Sequence, residues 1–523
     1  MPFSKVYSAQ TTGLSAQIID VEVDLSKGLH SFTTVGLPDK AVEESRDRVS
    51  SAIKNSGFKS PKQKNQKVVV SLAPADVKKE GPLFDLPISI AYLAAAGDLR
   101  FNPKEKIFFG ELSLDGELRP IKGALVLVDK AKRAGFKEVY LPEENITEAS
   151  LVEGISIFGA KNLKEVFEHL HGYIKGGDTV HKKIKPAQYN PSHIETVKRR
   201  SRLIDFSDVK GQETAKRGLE IAAAGGHNIA MWGSPGAGKT MLAKAFPHIL
   251  PDLSFDEIIE VTGIHSVAGA LKDSLIVEPP FRSPHHTSSY VSIVGGGTFP
   301  KPGEVTLAHR GVLFLDEFPL FDKRVIESLR QPLEDNTVSI SRAKGTELFP
   351  ANFILIGALN PCPCGNYGTE KQCVCLPGSL IRYQSRISGP IADRIDIWVE
   401  VARVDHKKLS DSKNKGETST AIRERVSSAR NMQNERFKNH QHRIKTNSEM
   451  GAKDLEVLVK LRDKLVDMVN ASAEKFNLSG RAHHRLLKVA RTIADLEGVS
   501  EVGERHILEA LQYRPKRGTG INH

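Results

Sequence analysis

Asn228-Ile-Ala-Met-Trp232-Gly233-Ser234-Pro235-Gly236-Ala237-Gly238-Lys239-Thr240 is an apolar, strand-like run that breaks into glycines and ends on a lysine and a threonine. A turn of that composition cradles phosphate. Its glycines let backbone N–H groups point into one concavity and Lys239 reaches the β- and γ-phosphates. Thr240 offers a hydroxyl to Mg²⁺ at the start of a helix whose dipole favours an anion. Ile229 to Trp232 reads as a buried strand and Met241 to Phe246 as the following helix, the strand, loop and helix order that the mechanism requires. Residues 233–240 are therefore expected to form a P-loop that binds a nucleotide; a purely structural turn is the alternative.

Further on, Gly311-Val-Leu-Phe-Leu-Asp316-Glu317 is a short apolar run closed by paired acids. That is the pattern of a buried parallel strand delivering carboxylates to its C-terminal end, where ligands bind in open α/β sheets. Asp316 is suited to holding Mg²⁺ through water and Glu317 to polarising the attacking water, so phosphoryl transfer obtains charge neutralisation and a positioned nucleophile. After a P-loop this is a Walker B motif; a solvated strand end is the plain reading. Phe353-Ile-Leu-Ile-Gly-Ala-Leu-Asn360 is another apolar strand, ending in an amide that can orient the lytic water or sense the γ-phosphate. This is the sensor-1 pattern, with a simple turn cap as its alternative.

The flanking segments resemble AAA+ ATPases. Asp205-Phe206-Ser-Asp-Val209-Lys-Gly211-Gln212 precedes an amphipathic helix leading to the P-loop strand, where that superfamily packs residues around adenine; Val209 and Gly211 are candidates there. Ser289-Tyr-Val-Ser-Ile-Val-Gly-Gly-Gly-Thr-Phe-Pro-Lys301-Pro-Gly303 resembles the helix-2 insert of the branch that contains MCM helicases and magnesium chelatases. Asn336-Thr-Val-Ser-Ile-Ser-Arg342-Ala-Lys344-Gly345 reads as a β-hairpin and resembles that branch's pre-sensor hairpin. In ring helicases of the branch both elements face the central pore. Ser385-Arg386-Ile-Ser-Gly-Pro-Ile-Ala-Asp393-Arg394-Ile-Asp396 resembles its arginine-finger motif. The resemblance places Arg394 against the γ-phosphate of a neighbouring subunit, with Arg386 as second choice and an ion pair of Arg394 with Asp393 or Asp396 as the alternative. Leu478-Ser-Gly-Arg481-Ala-His-His-Arg485 resembles the start of its sensor-2 helix, with Arg481 at the matching arginine and Arg485 second; a solvated helix face is the plain reading.

All 4 cysteines fall between these motifs, as Cys362-Pro-Cys364 and Cys373-Val-Cys375. In a reducing compartment four thiolates can close a tetrahedral Zn²⁺ site, although C-x-C is tighter than the usual knuckle; free thiols are the other reading. His285-His286 have no acidic partner in the local sequence and read as surface or nucleotide-loop residues.

Residues 1–170 alternate strand-like runs (Ile18 to Val23, Lys67 to Leu72, Lys106 to Leu114, Glu138 to Leu141) with helix-like ones (Asp39 to Ser56, Leu86 to Ala96, Gly123 to Ala134), which predicts an α/β or α+β domain. Within it Gly110-Glu-Leu-Ser-Leu-Asp-Gly-Glu-Leu-Arg-Pro-Ile-Lys-Gly123 and Arg133 to Asn145 resemble the protease domain of the Lon family. That family's nucleophilic serine follows Gly-Pro and its lysine comes after the later Pro-Ile-x-Gly. Here Gly81-Pro82 leads to Leu83, and Leu125 stands near the lysine position. A serine nucleophile needs a base, so a proteolytically inert Lon-like domain is expected, with the nearby Ser89 a helix residue.

The net charge of +11 is concentrated: residues 172–203 carry 8 Lys+Arg against 2 Asp+Glu, and residues 401–523 carry 25 against 16. Clustered basic charge suits a polyanion, whose counterions it displaces, and equally suits a solvated linker and charged helix faces. Gly172 to Leu203, rich in Gly, Lys and Pro, reads as that linker. Leu455 to Asn470, Arg481 to Glu497 and Glu504 to Tyr513 show helical apolar spacing. No run has the length of a membrane span and the start lacks a signal peptide's three regions, so a cytoplasmic location away from membranes is expected.

The expected organisation is an α/β chain: a Lon-protease-like α+β N-terminal domain without the Ser-Lys dyad (1–171), a basic linker (172–203), a P-loop AAA+ domain of the magnesium chelatase type (204–402) and a C-terminal helical lid (403–523). This order, with Cys-Pro-Cys-Gly after sensor 1, resembles the YifB/ComM family of magnesium-chelatase-like ATPases over almost the whole chain. The resemblance implies ATP and Mg²⁺ as ligands and a homo-oligomeric, hexameric motor on single-stranded or branched DNA. ComM-type members promote branch migration as recombination integrates strands during natural transformation. The rival is a chelatase-like chaperone motor acting on a protein partner; an ATP-dependent protease fails for want of a dyad.

Overall fold

The computed structural model describes residues 3–171, 184–187, 204–271, 275–297, 301–342, 345–368, 371–403, 416–438, 440, 444–476 and 478–515. By their contacts these form two units, one within 198–257 and 277–523, the other within 1–197 and 258–276. The linker at 172–203, apart from residues 184–187, lies outside the described residues.

Short apolar runs make the sheet of the larger unit. Five parallel strands lie in the order Phe281–Arg282, Val312–Leu315, Ile354–Leu359, Ile229–Trp232, Ile397–Glu400. Val312–Leu315 and Ile354–Leu359 are buried at every position, as strands covered on both faces must be. Trp232 is level with both Leu359 and Glu400, and Leu315 with Gly357. The strand ends therefore release Gly233, Asp316 and Asn360 along one edge, the carboxyl edge at which parallel sheets bind ligands.

Helices Glu213–Gly225, Lys239–Ala245, Ser419–Phe437, Gly480–Leu496 and Glu504–Gln512 share one core with this sheet, through Leu219, Leu242, Ile356, Val399, Val426, Leu486, Ile493 and Ile507. Thr418 and Ser479 cap two of them by accepting from Ala421 N and Ala482 N. The single helix expected over Leu455 to Asn470 is instead two, Ala452–Leu458 and Asp463–Phe476. The chain leaves the helical region at Val459 (φ −116°, ψ 71°), where Val459 is buried and Leu458 and Leu461 pack against the core. Within 289–303 the described residues form helix Tyr290–Val294 and a small pairing of Gly295–Gly296 with Lys301–Pro302. The hairpin expected over Asn336 to Gly345 extends further: Thr337–Arg342 pairs with Gly345–Pro350, so its second strand lies almost wholly beyond the expected span, and residues 343–344 lie outside the described residues.

A buried ion cluster ties these C-terminal helices together. Asp495 is fully buried and accepts from Arg491 Nη2 (2.9 Å), Arg436 Nη1 (3.0 Å) and Asn447 Nδ2 (2.8 Å). Removing Asp495 leaves the two guanidiniums of Arg436 and Arg491 without their counter-charge, so Asp495→Ala is expected to cost about 3–5 kcal/mol. Urea unfolding checks this, and a loss below about 1 kcal/mol, the scale of an exposed pair, contradicts it.

In the other unit Phe3–Thr12, Ser15–Lys27, Gln66–Ala73 and Ser31–Val35 form a sheet in that order, its first two pairings antiparallel and its last parallel. Lys106–Phe108, Glu138–Pro142 and Ser156–Ala160 form a parallel sheet. Helices Lys40–Asn55, Asp85–Ala95, Ala124–Arg133 and Leu163–His171 accompany them. The strand expected over Lys106 to Leu114 is broken near Gly110, where a Cβ would lie 2.6 Å from Leu118 Cδ2; Glu111–Leu112 then pair back with Leu118–Arg119. Leu125 is buried in its helix, and the Ser89 hydroxyl is spent on Asp85 O (2.8 Å) within a helix.

Residues 258–276, which the sequence reading assigns to the ATPase segment, count with this unit by their contacts. The Ser266 hydroxyl donates to Glu148 Oε2 (2.6 Å) and accepts from Gly123 N (2.8 Å), while Asn145 donates to the other Glu148 oxygen (2.8 Å). Burial pushes the Glu148 carboxyl up from its ordinary value, against these hydrogen bonds. Among the described residues no helix is long and apolar enough to cross a membrane.

Candidate functional site

The strand Ile229–Trp232 runs out of the core into a turn that only glycines can make. A Cβ on Gly233 would lie 2.2 Å from Val401 O, and Gly236 and Gly238 take φ of 77° and 99°, which a side chain would strain. Lys239 opens the next helix and is buried, its Nζ donating to Gly233 O (2.7 Å), Ser234 O (3.0 Å) and Asn360 Oδ1 (3.1 Å). Burial holds this ammonium's pKa below the usual lysine value, while the Asp316 charge acts in the opposite sense. The Thr240 hydroxyl donates to Asp316 Oδ2 (2.9 Å) and Glu317 N donates to Asp316 Oδ1 (3.0 Å). Lys239, Thr240, Asp316 and Asn360, spread over 121 residues of sequence, thus meet at the ends of adjacent strands.

Glu317 follows the strand in left-handed backbone, φ 50°, with its side chain half exposed. His286 Nδ1 lies 3.5 Å from Glu317 Oε2, so the imidazole flanks the carboxylate assigned to the attacking water. Sequence reading missed this because the two residues are brought together only by the adjacent placement of the strands before them. Tyr383 is a second such residue: burial pushes its hydroxyl up to about 12, despite a hydrogen bond with the Asn360 backbone. A third is Gln212, whose amide donates to Ala237 O in the glycine turn (3.1 Å) and to Ala402 O. Its neighbour Val209, one of the two adenine candidates, is buried in the core.

The four arginines part company. Arg394 is buried; it pairs with Glu334, donates to Pro390 O (2.7 Å), and keeps a buried Nε without a partner among the described residues. Arg481 is exposed and reaches the other oxygen of the same Glu334 (3.3 Å). Asp396 pairs instead with Arg485 (3.0 Å) and His227 (3.3 Å). Burial would raise the Asp396 carboxyl, but Arg485 and His227 outweigh it and hold it far below the usual range. Arg386 donates to Pro319 O (3.1 Å), just beyond the strand Val312–Leu315. A polar cavity of about 370 Å³ is lined by Glu334, Asp396, Arg481, His484, Arg485 and Lys488.

Cys362, Cys364, Cys373 and Cys375 are brought together, their sulfurs all within 4.8 Å of one another, a group that could bind a metal ion. Backbone hydrogen bonds from Asn366 and Val374 hold the Cys364 thiol down to about 6.

Profiles of the magnesium chelatase family cover most of the chain. "Subunit ChlI of Mg-chelatase" matches residues 21–145, "Magnesium chelatase, subunit ChlI" residues 205–409, and "Magnesium chelatase, subunit ChlI C-terminal" residues 416–514. The competence protein ComM of Haemophilus influenzae is 42% identical over 520 residues, 98% of each chain. YifB of Escherichia coli is 40% identical over 517 residues, 98% of this chain and 97% of its own. A magnesium-chelatase 67 kDa subunit of Chlorobaculum tepidum is 27% identical over 165 residues, 30% of this chain and 24% of that subunit. Three chelatase profiles along the chain, and identity of 40% or more to ComM and to YifB over 98% of its length, place this protein in the YifB/ComM family of magnesium-chelatase-like AAA+ ATPases.

Proposed function

We propose that this chain is an ATP-hydrolysing ring motor acting on DNA, a branch-migration helicase of recombination during natural transformation, working in the cytoplasm as a hexamer. The carrying observation is the meeting of Lys239 with Asn360 and of Thr240 with Asp316 at adjacent strand ends, in a chain alike over its full length to a competence protein. In this reading residues 233–240 bind the phosphates, Lys239 as a point charge. Mg²⁺ held by Thr240 and Asp316 would neutralise phosphate charge. Glu317 takes the proton of the attacking water and Asn360 orients it. Arg394 serves a neighbouring subunit; its guanidinium touches Glu334 and Pro390, and the described contacts include none with its own P-loop. Arg481, on the same carboxylate, is read as sensor 2, the helices within 419–512 as the lid, and residues 1–171 as the inert Lon-like domain.

The DNA half rests on the basic C-terminal third, the hairpin Thr337–Pro350 and the relative's competence role. ATP turnover by the full chain is expected to rise several-fold with single-stranded or branched DNA, and the rise to fade as salt is added. Turnover unchanged by both DNAs would overturn that half and leave the chelatase-like motor acting on a protein partner, the reading that the three chelatase profiles favour.

A further inference from the structure

The loop that follows Asn360 carries the group of metal-ligating side chains closest in sequence to the nucleotide site. The Cys362 sulfur lies 3.3 Å from that of Cys364 and 3.8 Å from that of Cys373, and Cys364 and Cys373 are 3.7 Å apart. Four sulfurs placed tetrahedrally at ~2.3 Å from one Zn²⁺ are about 3.8 Å from each other. These thiols therefore already stand near the spacing that a single four-coordinate ion imposes, and closer than a polynuclear iron–sulfur cluster would hold them. Tyr367 N donates to the Cys362 sulfur (3.3 Å), the kind of backbone donor that settles a thiolate. Among the described residues no other such group of His, Cys, Asp and Glu is found.

The same loop is seated on the P-loop. Gly365 has φ 78°, and a Cβ there would lie 2.4 Å from Pro235 Cδ, so the contact admits no side chain. Two residues before Cys362, Asn360 accepts from the Lys239 ammonium. A strand end that touches Lys239 and a turn that touches Pro235 thus bracket the first two cysteines.

We propose that Cys362, Cys364, Cys373 and Cys375 bind one zinc ion per chain, and that this ion holds the turn at Gly365 against the P-loop, so that nucleotide handling depends on the metal. The thiols give up their protons as they bind, which makes uptake pH-dependent. The coupling half rests on reading residues 233–240 as the nucleotide loop; the metal half does not.

The test uses the full chain purified without an affinity tag. Elemental analysis is expected to find one zinc per chain, released by a mercurial from the folded wild-type protein in step with blocked thiols. Cobalt substitution should give the intense near-ultraviolet charge-transfer bands of thiolate ligation. Cys364→Ser and Cys375→Ser should lose the metal, and ATP turnover should fall by about 10²-fold, the scale of an approximately 1 Å misplacement at a reacting centre. Gly365→Ala should keep the zinc and still lose nucleotide affinity, which separates seating of the turn from loss of the ion and from misfolding. Substoichiometric zinc that neither the mercurial nor Cys364→Ser changes overturns the site. Stoichiometric zinc whose removal leaves nucleotide binding and turnover unaltered overturns the coupling.

Discussion

Lys239→Ala is expected to bind no ATP, and Glu317→Gln to bind it without turning it over. In the proposed reading the first change deletes the cation that meets the phosphates, a buried ammonium held by Gly233 O, Ser234 O and Asn360 Oδ1. The second leaves the turn, Thr240 and Asp316 in place and removes only the carboxylate proposed to take the water's proton. Loss of a general base typically costs about 10²–10⁴ in rate, and the two variants separate binding from chemistry. A fluorescent nucleotide reports the first and phosphate release the second. Equal turnover by Glu317→Gln and the parent would sink the Walker B assignment, and normal binding by Lys239→Ala the P-loop one.

The second large effect is expected only between subunits of the proposed ring. If Arg394 completes an adjoining site, Arg394→Ala has an intact P-loop yet no finger for its neighbour, whereas Lys239→Ala has the finger and no site. Mixed rings then contain interfaces that pair a good P-loop with a good arginine, and activity should exceed the sum of the two inactive proteins. An arginine finger contributes about 10³–10⁵ in rate, so even partial rescue stands clear of background. Because Arg394 is buried on Glu334, its removal also frees a carboxylate that Arg481 already touches. Arg394→Lys, which keeps the charge without the planar fork, separates the geometry of the finger from the loss of that pair. Inactive rings of verified mixed composition, or normal hydrolysis by Arg394→Ala alone, would reject the assignment and turn attention to Arg386 beside Pro319.

The strands of residues 228–240, 311–317 and 353–360 were legible because each is a local pattern: an apolar run of strand length that ends in glycines, paired acids or an amide. The helices at 480–496 and 504–512 were legible for the same reason, as periodicity acts over neighbouring residues, whereas of the hairpin only the first strand lay within the expected 336–345 and the second runs on to Pro350. The break at Val459 was not, since apolar spacing continues through it and only packing on the core decides that the helix stops. Partners were decided by the tertiary structure alone. Arg394 lies within three residues of Asp393 and Asp396, yet it pairs with Glu334, 60 residues away, while Asp396 takes Arg485 and His227. His286 reaches Glu317 through the pairing of Phe281–Arg282 with the strand Val312–Leu315. Residues 258–276 contact the N-terminal unit through Ser266 and Glu148, which no spacing in either segment announces. Local chain statistics determine which residues form a strand or a turn; the order of strands in a parallel sheet, set by crossovers of dozens of residues, determines which side chains meet at its carboxyl edge.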